Sequence, residues 1–157
     1  MAKFIYRMQN ILNLKMKLEE QAKMEYASQR ARLNEEEEKG EKLKREKAFY
    51  EQKAKDLVKQ KLVIKDIIRN AQAIDTMKTL ISDQEQIIKK ETEELEKRRV
   101  KLEEVMKERK TQDKLKDKAF DEFKADINYQ ESKEIDQLTS YVYGNKARLK
   151  KTNGDNS

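Results

Sequence analysis

Three features of this sequence predict an all-α fold, a long antiparallel two-helix coiled-coil hairpin. The first is the near absence of helix breakers: 157 residues hold no Pro and only three Gly. The chain is dominated instead by Lys, Glu, Leu, Ala, Gln and Ile, mostly good helix formers. The second is the charge content, 43% of residues against 36% hydrophobic, which is too polar for a compact core of ordinary size. Basic and acidic side chains nearly cancel (37 against 31), so the chain does not carry the large net charge typical of disorder. The third is apolar periodicity: residues recur every seven positions in two runs of different phase, as two paired helices require.

The first helix is expected over about residues 4–60. Phe4, Met8, Ile11, Leu18 and Ala22 share one face, and Ile5, Leu12, Tyr26 and Leu33 form an adjacent stripe. A polar block from Asn34 to Gly40 interrupts the apolar signal, and Gly40 is a place for a bend. The seam returns at Leu43, Tyr50, Leu57, Ile64 and Ala71, with weak companions at Gly40, Lys47, Ala54 and Lys61.

The turn is expected at about 61–67, the densest β-branched stretch, where helix propensity is lowest. Asp66 would cap the second helix. That helix is expected over about 68–144, with sevens at Ile74, Ile81, Ile88, Leu95 and Leu102 and mixed companions at Met77, Gln84, Glu91, Arg98 and Val105. The two runs differ in phase, which a single straight helix would not show. A turn centred near 64 pairs residues whose numbers sum to roughly 128. Phe4 and Met8 then lie near Phe120 and Phe123, and Glu35 to Glu38 near Lys89 and Lys90. Arg109, Gln112 and Lys116 fall where the seam should be apolar. Residues after about 128 overhang the first helix and carry a stripe of their own, Ile135, Leu138, Val142 and Leu149. Tyr143-Gly144-Asn145 reads as a helix stop, and 150–157 as a disordered tail. Residues 1–150 form the single hairpin domain.

Composition also excludes function classes. Without Cys or His there is no thiolate, no imidazole base and no usual zinc ligand. Three scattered Gly cannot build a phosphate-cradling loop. Carboxylate runs at Glu35 to Glu38 and at Glu93, Glu94 and Glu96 lack the His that carboxylate metal sites in bundles usually add, so they read as solvated helix faces. The expectation is a non-enzyme with no cofactor and no metal. No apolar run nears the roughly 20 residues that span a bilayer, and the start lacks a signal-peptide core, which predicts a cytoplasmic protein.

The net charge of +6 raises the question of nucleic acid. Residues 1–60 hold 15 bases and 11 acids, residues 61–130 hold 17 and 16, and residues 131–157 hold 5 and 4. Bases interleaved with acids are coiled-coil flanks, not a basic stripe. No nucleic-acid partner is expected, and the seams are too narrow for a lipid-surface helix.

Two segments carry a family resemblance. Lys3-Phe4-Ile5-Tyr6-Arg7, followed by Met8-Gln9-Asn10-Ile11-Leu12, resembles the opening of the FliJ family of flagellar export proteins: an aromatic-basic segment, then apolar-Gln-x-(Val/Ile)-Leu. Glu131-Ser132-Lys133-Glu134-Ile135-Asp136-Gln137-Leu138 resembles that family's Glu-x-Lys-x-Leu-Asp-Glu-(Leu/Phe)-Ala segment, with Gln137 for Glu and Thr139 for Ala. The Gly that many members carry at the turn is absent.

The resemblance implies a non-enzymatic part of the flagellar type III export apparatus, needed for flagellum assembly and motility. Its fold would be similar to the central stalk of rotary ATPases. It would insert into the hexameric export ATPase ring and contact the cytosolic domain of the membrane export gate and export chaperones. It would sit at the inner face of the cell membrane through that apparatus, without inserting in the membrane. Ring contacts are expected at Gln9, Leu12, Glu131, Lys133, Asp136 and Leu138. Gate contacts near the hairpin tip are expected at Leu43, Tyr50, Met77 and Leu80. The rival readings are a structural coiled coil that self-associates and the equivalent stalk of a virulence-type injectisome.

Overall fold

The computed structural model describes residues 2–60 and 63–154. Two helices, α1 (Gln9–Lys59) and α2 (Ile64–Gly154), pack against each other as an antiparallel hairpin, with no strand among the described residues. The chain divides into two compact units: Lys15–Glu108, and Met1–Leu14 with Arg109–Ser157.

In the unit Lys15–Glu108 the covered side chains follow an unbroken three-four spacing on each helix. On α1 they run from Glu19, Ala22 and Tyr26 to Tyr50, Ala54 and Leu57. On α2 they run from Ile67, Asn70 and Ile74 to Arg98, Leu102 and Val105. This is the heptad seam of a two-stranded coiled coil. The phase change in the sequence marks the break between helices. The sevens from Leu43 to Leu57 end with α1, and their continuation is accidental: Ile64 and Ala71 are exposed on α2, whose own seam starts at Ile67.

Polar residues fill several layers of that seam, and Gln29, Asn70, Gln84 and Arg98 each donate across it, with Asn70 Oδ1 left without a partner. Gln29 is 1% exposed; its Nε2 donates to the Glu91 carbonyl (3.1 Å) and to the Glu91 carboxylate. One heptad away the roles are exchanged: Gln84 Nε2 donates to the Glu36 carbonyl (2.8 Å) and to its carboxylate (2.6 Å). Asn70 Nδ2 donates to the Tyr50 carbonyl (2.9 Å), and Arg98 Nη1 to that of Glu25 (3.4 Å). A slip of one heptad would set Glu36 against Glu91, or Gln29 against Gln84. Either exchange leaves covered polar groups mispaired, so these layers specify the register.

The pairs Gln29–Glu91, Glu36–Gln84 and Tyr50–Asn70 each add to 120, so the register is tighter than the expected 128. Glu36 of the acidic block therefore meets Gln84 rather than Lys89 or Lys90, and its cation is Lys39 of its own helix (3.2 Å). α1 is continuous through Gly40, which has no positive φ. Gly40 is buried, and a Cβ there would meet Ile88 Cδ1 at 3.2 Å, so its missing side chain lets the helices approach.

In the other unit, the chain before α1 is not helical: α1 opens with Leu12 N donating to the Met8 carbonyl (3.0 Å). Phe4 meets Phe120 edge-on (centroids 5.2 Å apart) and tilts onto Phe123 (5.4 Å), the aromatic pairing expected. Tyr6 donates to Gln112 Oε1 (3.3 Å), so a polar residue at a seam position is again partnered. Leu12 is buried.

The helix boundaries differ from those read in the sequence. Residues 61 and 62, within the expected turn, lie outside the described residues, while 64–67 are already helical. Asp66 is in the first turn of α2, not at its cap; the Val63 carbonyl takes the bonds from Asp66 N (3.0 Å) and Ile67 N (3.2 Å). A carboxylate one turn in still faces the positive helix end. The stop at Tyr143-Gly144-Asn145 is absent: α2 runs to Gly154, because Gly144 keeps a helical φ and good helix formers follow it. Residues 150–154 of the expected tail are helical, and 155–157 lie outside the described residues. No described helix is long and apolar enough to cross a membrane.

Candidate partner-binding surfaces

The six expected ring-contact residues all fall in the unit Met1–Leu14 with Arg109–Ser157, but in two kinds of place. Gln9 and Leu12 belong to the first turn of α1. Leu12 is 3% exposed, so it holds the fold rather than offering a surface. Gln9 is half-buried; its backbone N donates to the Tyr6 carbonyl (3.2 Å) and its side chain to Asn13 Oδ1 (2.9 Å). That residue pins the aromatic segment to the helix start.

Glu131, Lys133, Asp136 and Leu138 lie where α2 has no cover. Every residue from 128 to 154 is exposed. The segment still carries an apolar stripe: Ile135 (61% exposed), Leu138 (64%), Val142 (51%) and Leu149 (64%). Going from Phe123, the last aromatic of the paired part, to Ile135 turns the helix by about a third of a turn beyond full rotations. The stripe is therefore not a continuation of the face that meets Phe4. Large apolar side chains repeated on one uncovered helix face are the signature of a docking surface. Its signal in the sequence is the three-four-seven spacing of 135, 138, 142 and 149.

The four expected gate-contact residues fall in the unit Lys15–Glu108. Leu43 and Met77 are half-buried seam positions in register with each other, which suits packing rather than presentation. Tyr50 is half-buried beside the Phe49 ring (5.7 Å), and its carbonyl is held by Asn70. Leu80 is exposed. Leu43 lies 16 residues from the end of α1, about 24 Å along the helix, and Tyr50 nine residues, about 14 Å.

Residues that sequence reasoning passed over are more open. Phe49 is 65% exposed next to Lys42, Arg45 and Glu46. Close to the turn, Val58, Val63, Ile64 and Ile68 all face solvent. Their signal was present in sequence, since Ile64 and Ile68 are four apart, but assigning Ile64 to the seam hid it.

Electrostatically the shaft is quiet. Glu36 is held below the usual carboxylate range, first by the Gln84 amide and then by Lys39. Glu96 is lowered by its bond to Arg99, whose own pKa is raised by the same contact (2.6 Å). The Glu96–Arg99 pair is exposed and lies within α2. Among the described residues no group of three or more carboxylates is arranged to hold a metal ion.

The family model described as flagellar FliJ protein matches residues 4–148, nearly the whole chain. A solved structure of a protein described as a YscO homolog, CT670 from Chlamydia trachomatis, is similar at 19% identity and TM-score 0.47, covering 90% of this chain and 96% of that one. No curated protein matches.

Proposed function

The chain belongs to the FliJ family of flagellar proteins, and on that premise we propose that it is a non-enzymatic coiled-coil stalk of the flagellar type III export apparatus. The uncovered segment of α2 inserts in the export ATPase ring, and the shaft meets the cytosolic domain of the export gate and the export chaperones. The observation that carries the ring contact is the stripe Ile135, Leu138, Val142 and Leu149, with Glu131, Lys133 and Asp136 beside it, all exposed on one helix. Lys133 and Asp136, three apart, present opposite charges that a ring of repeated subunits can read. Gln9 and Leu12 contribute indirectly, by fixing the helix start and the aromatic packing. Phe49 and Leu80 are the exposed shaft residues available to the gate, with half-buried Tyr50 beside Phe49.

The test is a pulldown of the full chain with a flagellar export ATPase, read together with ATPase stimulation. Leu138→Asp is expected to lower stimulation at least tenfold with helix content unchanged by circular dichroism. Reversing Lys133 and Asp136 together is expected to weaken it less, by severalfold. Unchanged stimulation in both variants would remove these contacts.

A further inference from the structure

We propose that residues 131–149 of α2 pair antiparallel with the same segment of a second copy of this chain. This does not rest on the export reading; it uses only the segment's own residues. The stripe Ile135, Leu138, Val142 and Leu149 has the spacing of a coiled-coil seam, and nothing in the described structure covers it. A seam of this kind is completed by one more helix.

Charge selects which helix, and in which direction. Along the segment the acids come first and the bases last: Glu131, Glu134 and Asp136, then Lys146 and Arg148, followed just past it by Lys150 and Lys151, with Lys133 the one early base. Two copies side by side in parallel would set acids on acids and bases on bases. Two copies in opposite directions set each acidic end on a basic end, twice by symmetry.

The heptad positions agree in detail. With the two-fold axis near residue 140, Leu138 of each copy packs against Val142 of the other. Glu134, beside the seam, faces Arg148 of the other copy, and Tyr141 comes close to its own counterpart. In the parallel alternative Glu134 would face Thr139 and gain no charge partner. Four apolar side chains per copy over about 21 Å of helix make a small interface, so the dimer is concentration-dependent. The ATPase ring and the second copy would compete for Leu138, so the dimer would be the form in which a free chain covers its own stripe.

Sedimentation equilibrium of the full chain, from about 5 to 500 µM, is expected to show 18.8 kDa monomers in balance with dimers. Leu138→Asp with Val142→Asp is expected to weaken the dimer tenfold or more. Arg148→Glu alone weakens it severalfold, and adding Glu134→Arg to that variant restores it. Because the chain has no Cys, Tyr141→Cys places a single thiol beside the axis, and oxidation is expected to link two copies covalently. That variant decides the matter if the Asp substitutions unwind the helix. A chain that stays monomeric throughout the range, a dimer that survives both Asp substitutions with helix content intact, or a charge exchange that fails to restore pairing would overturn the proposal. Failure of ATPase binding would leave these results unaffected.

Discussion

Residues 67–105 and residues 128–154 of α2 are equally helical but differ in what they cover. In the first stretch every third or fourth side chain is covered by α1, and its polar members are hydrogen-bonded across the seam. In the second, apolar side chains keep a similar spacing and are left bare. Composition makes the helix in both, since breakers are scarce throughout. Packing determines which stretch has stability of its own. An isolated helix in water is marginal even when its sequence favours it, so the second stretch depends on whatever comes to cover it.

The contrast is broken most directly by truncating one leucine in each stretch's seam. Leu33 is 2% exposed on the α1 side of the paired seam, and Leu138 is 64% exposed. Leu33→Ala is expected to cost about 2–4 kcal/mol in urea unfolding followed by circular dichroism, from lost transfer energy and the cavity left behind. Leu138→Ala at low protein concentration is expected to change stability by less than about 0.5 kcal/mol. Equal losses at the two sites would mean that the uncovered stripe packs on something within the monomer.

The polar layers give the next largest effect. Gln84→Ala removes the donor across the seam from the Glu36 carbonyl and carboxylate, leaving the carboxylate only Lys39 of its own helix, and is expected to cost about 1–2 kcal/mol near neutral pH. The pH dependence should change with it. The Glu36 carboxyl is lowered in the folded state, chiefly by Gln84 and then by Lys39. A lowered carboxylate adds stability above its unfolded pKa and loses it as pH falls through the folded one. Between about pH 5 and pH 3 the parent chain should therefore lose stability more steeply than Gln84→Ala, measured by urea midpoints across that range. Parallel pH profiles would show that the amide does not hold the charged form.

The same polar layers explain which parts of the fold could be read from sequence. Helix content and the hairpin follow from periodicity alone, because Leu, Ile and Tyr at steps of seven mark the seam even when every second position is polar. The Phe4 contact with Phe120 and Phe123 survives a register error because aromatic rings are large enough to meet across it. The register itself was out of reach. Gln29, Glu36, Gln84 and Glu91 look like solvated residues until their reciprocal bonds are seen, and those bonds are what select the sum of 120. Asp66 and Gly144 misled for a related reason. A cap and a stop are statements about φ and one carbonyl, and neighbouring good helix formers override the residue type. The bare stripe was legible both as a stripe and as an overhang, because the expected register leaves residues after about 128 without a partner in the first helix.

The two helical glycines sharpen the comparison at the smallest scale. Replacing Gly by Ala in a helix interior gains up to about 1 kcal/mol from backbone entropy alone. At Gly144 a Cβ would meet nothing within 4 Å, so Gly144→Ala should deliver that gain in full. Hydrogen exchange of the amides around residue 144 is expected to slow by up to about fivefold. At Gly40 the same gain is opposed, since the new Cβ would lie 3.2 Å from Ile88 Cδ1 and 3.7 Å from Gln84 Cγ. The end of Ile88 can yield by a few tenths of an ångström, at a cost in seam packing comparable to the entropy gained. Gly40→Ala is therefore expected to leave the urea midpoint nearly unchanged. If it stabilises the paired stretch as much as Gly144→Ala steadies the uncovered one, close helix approach at Gly40 is not what keeps a glycine there.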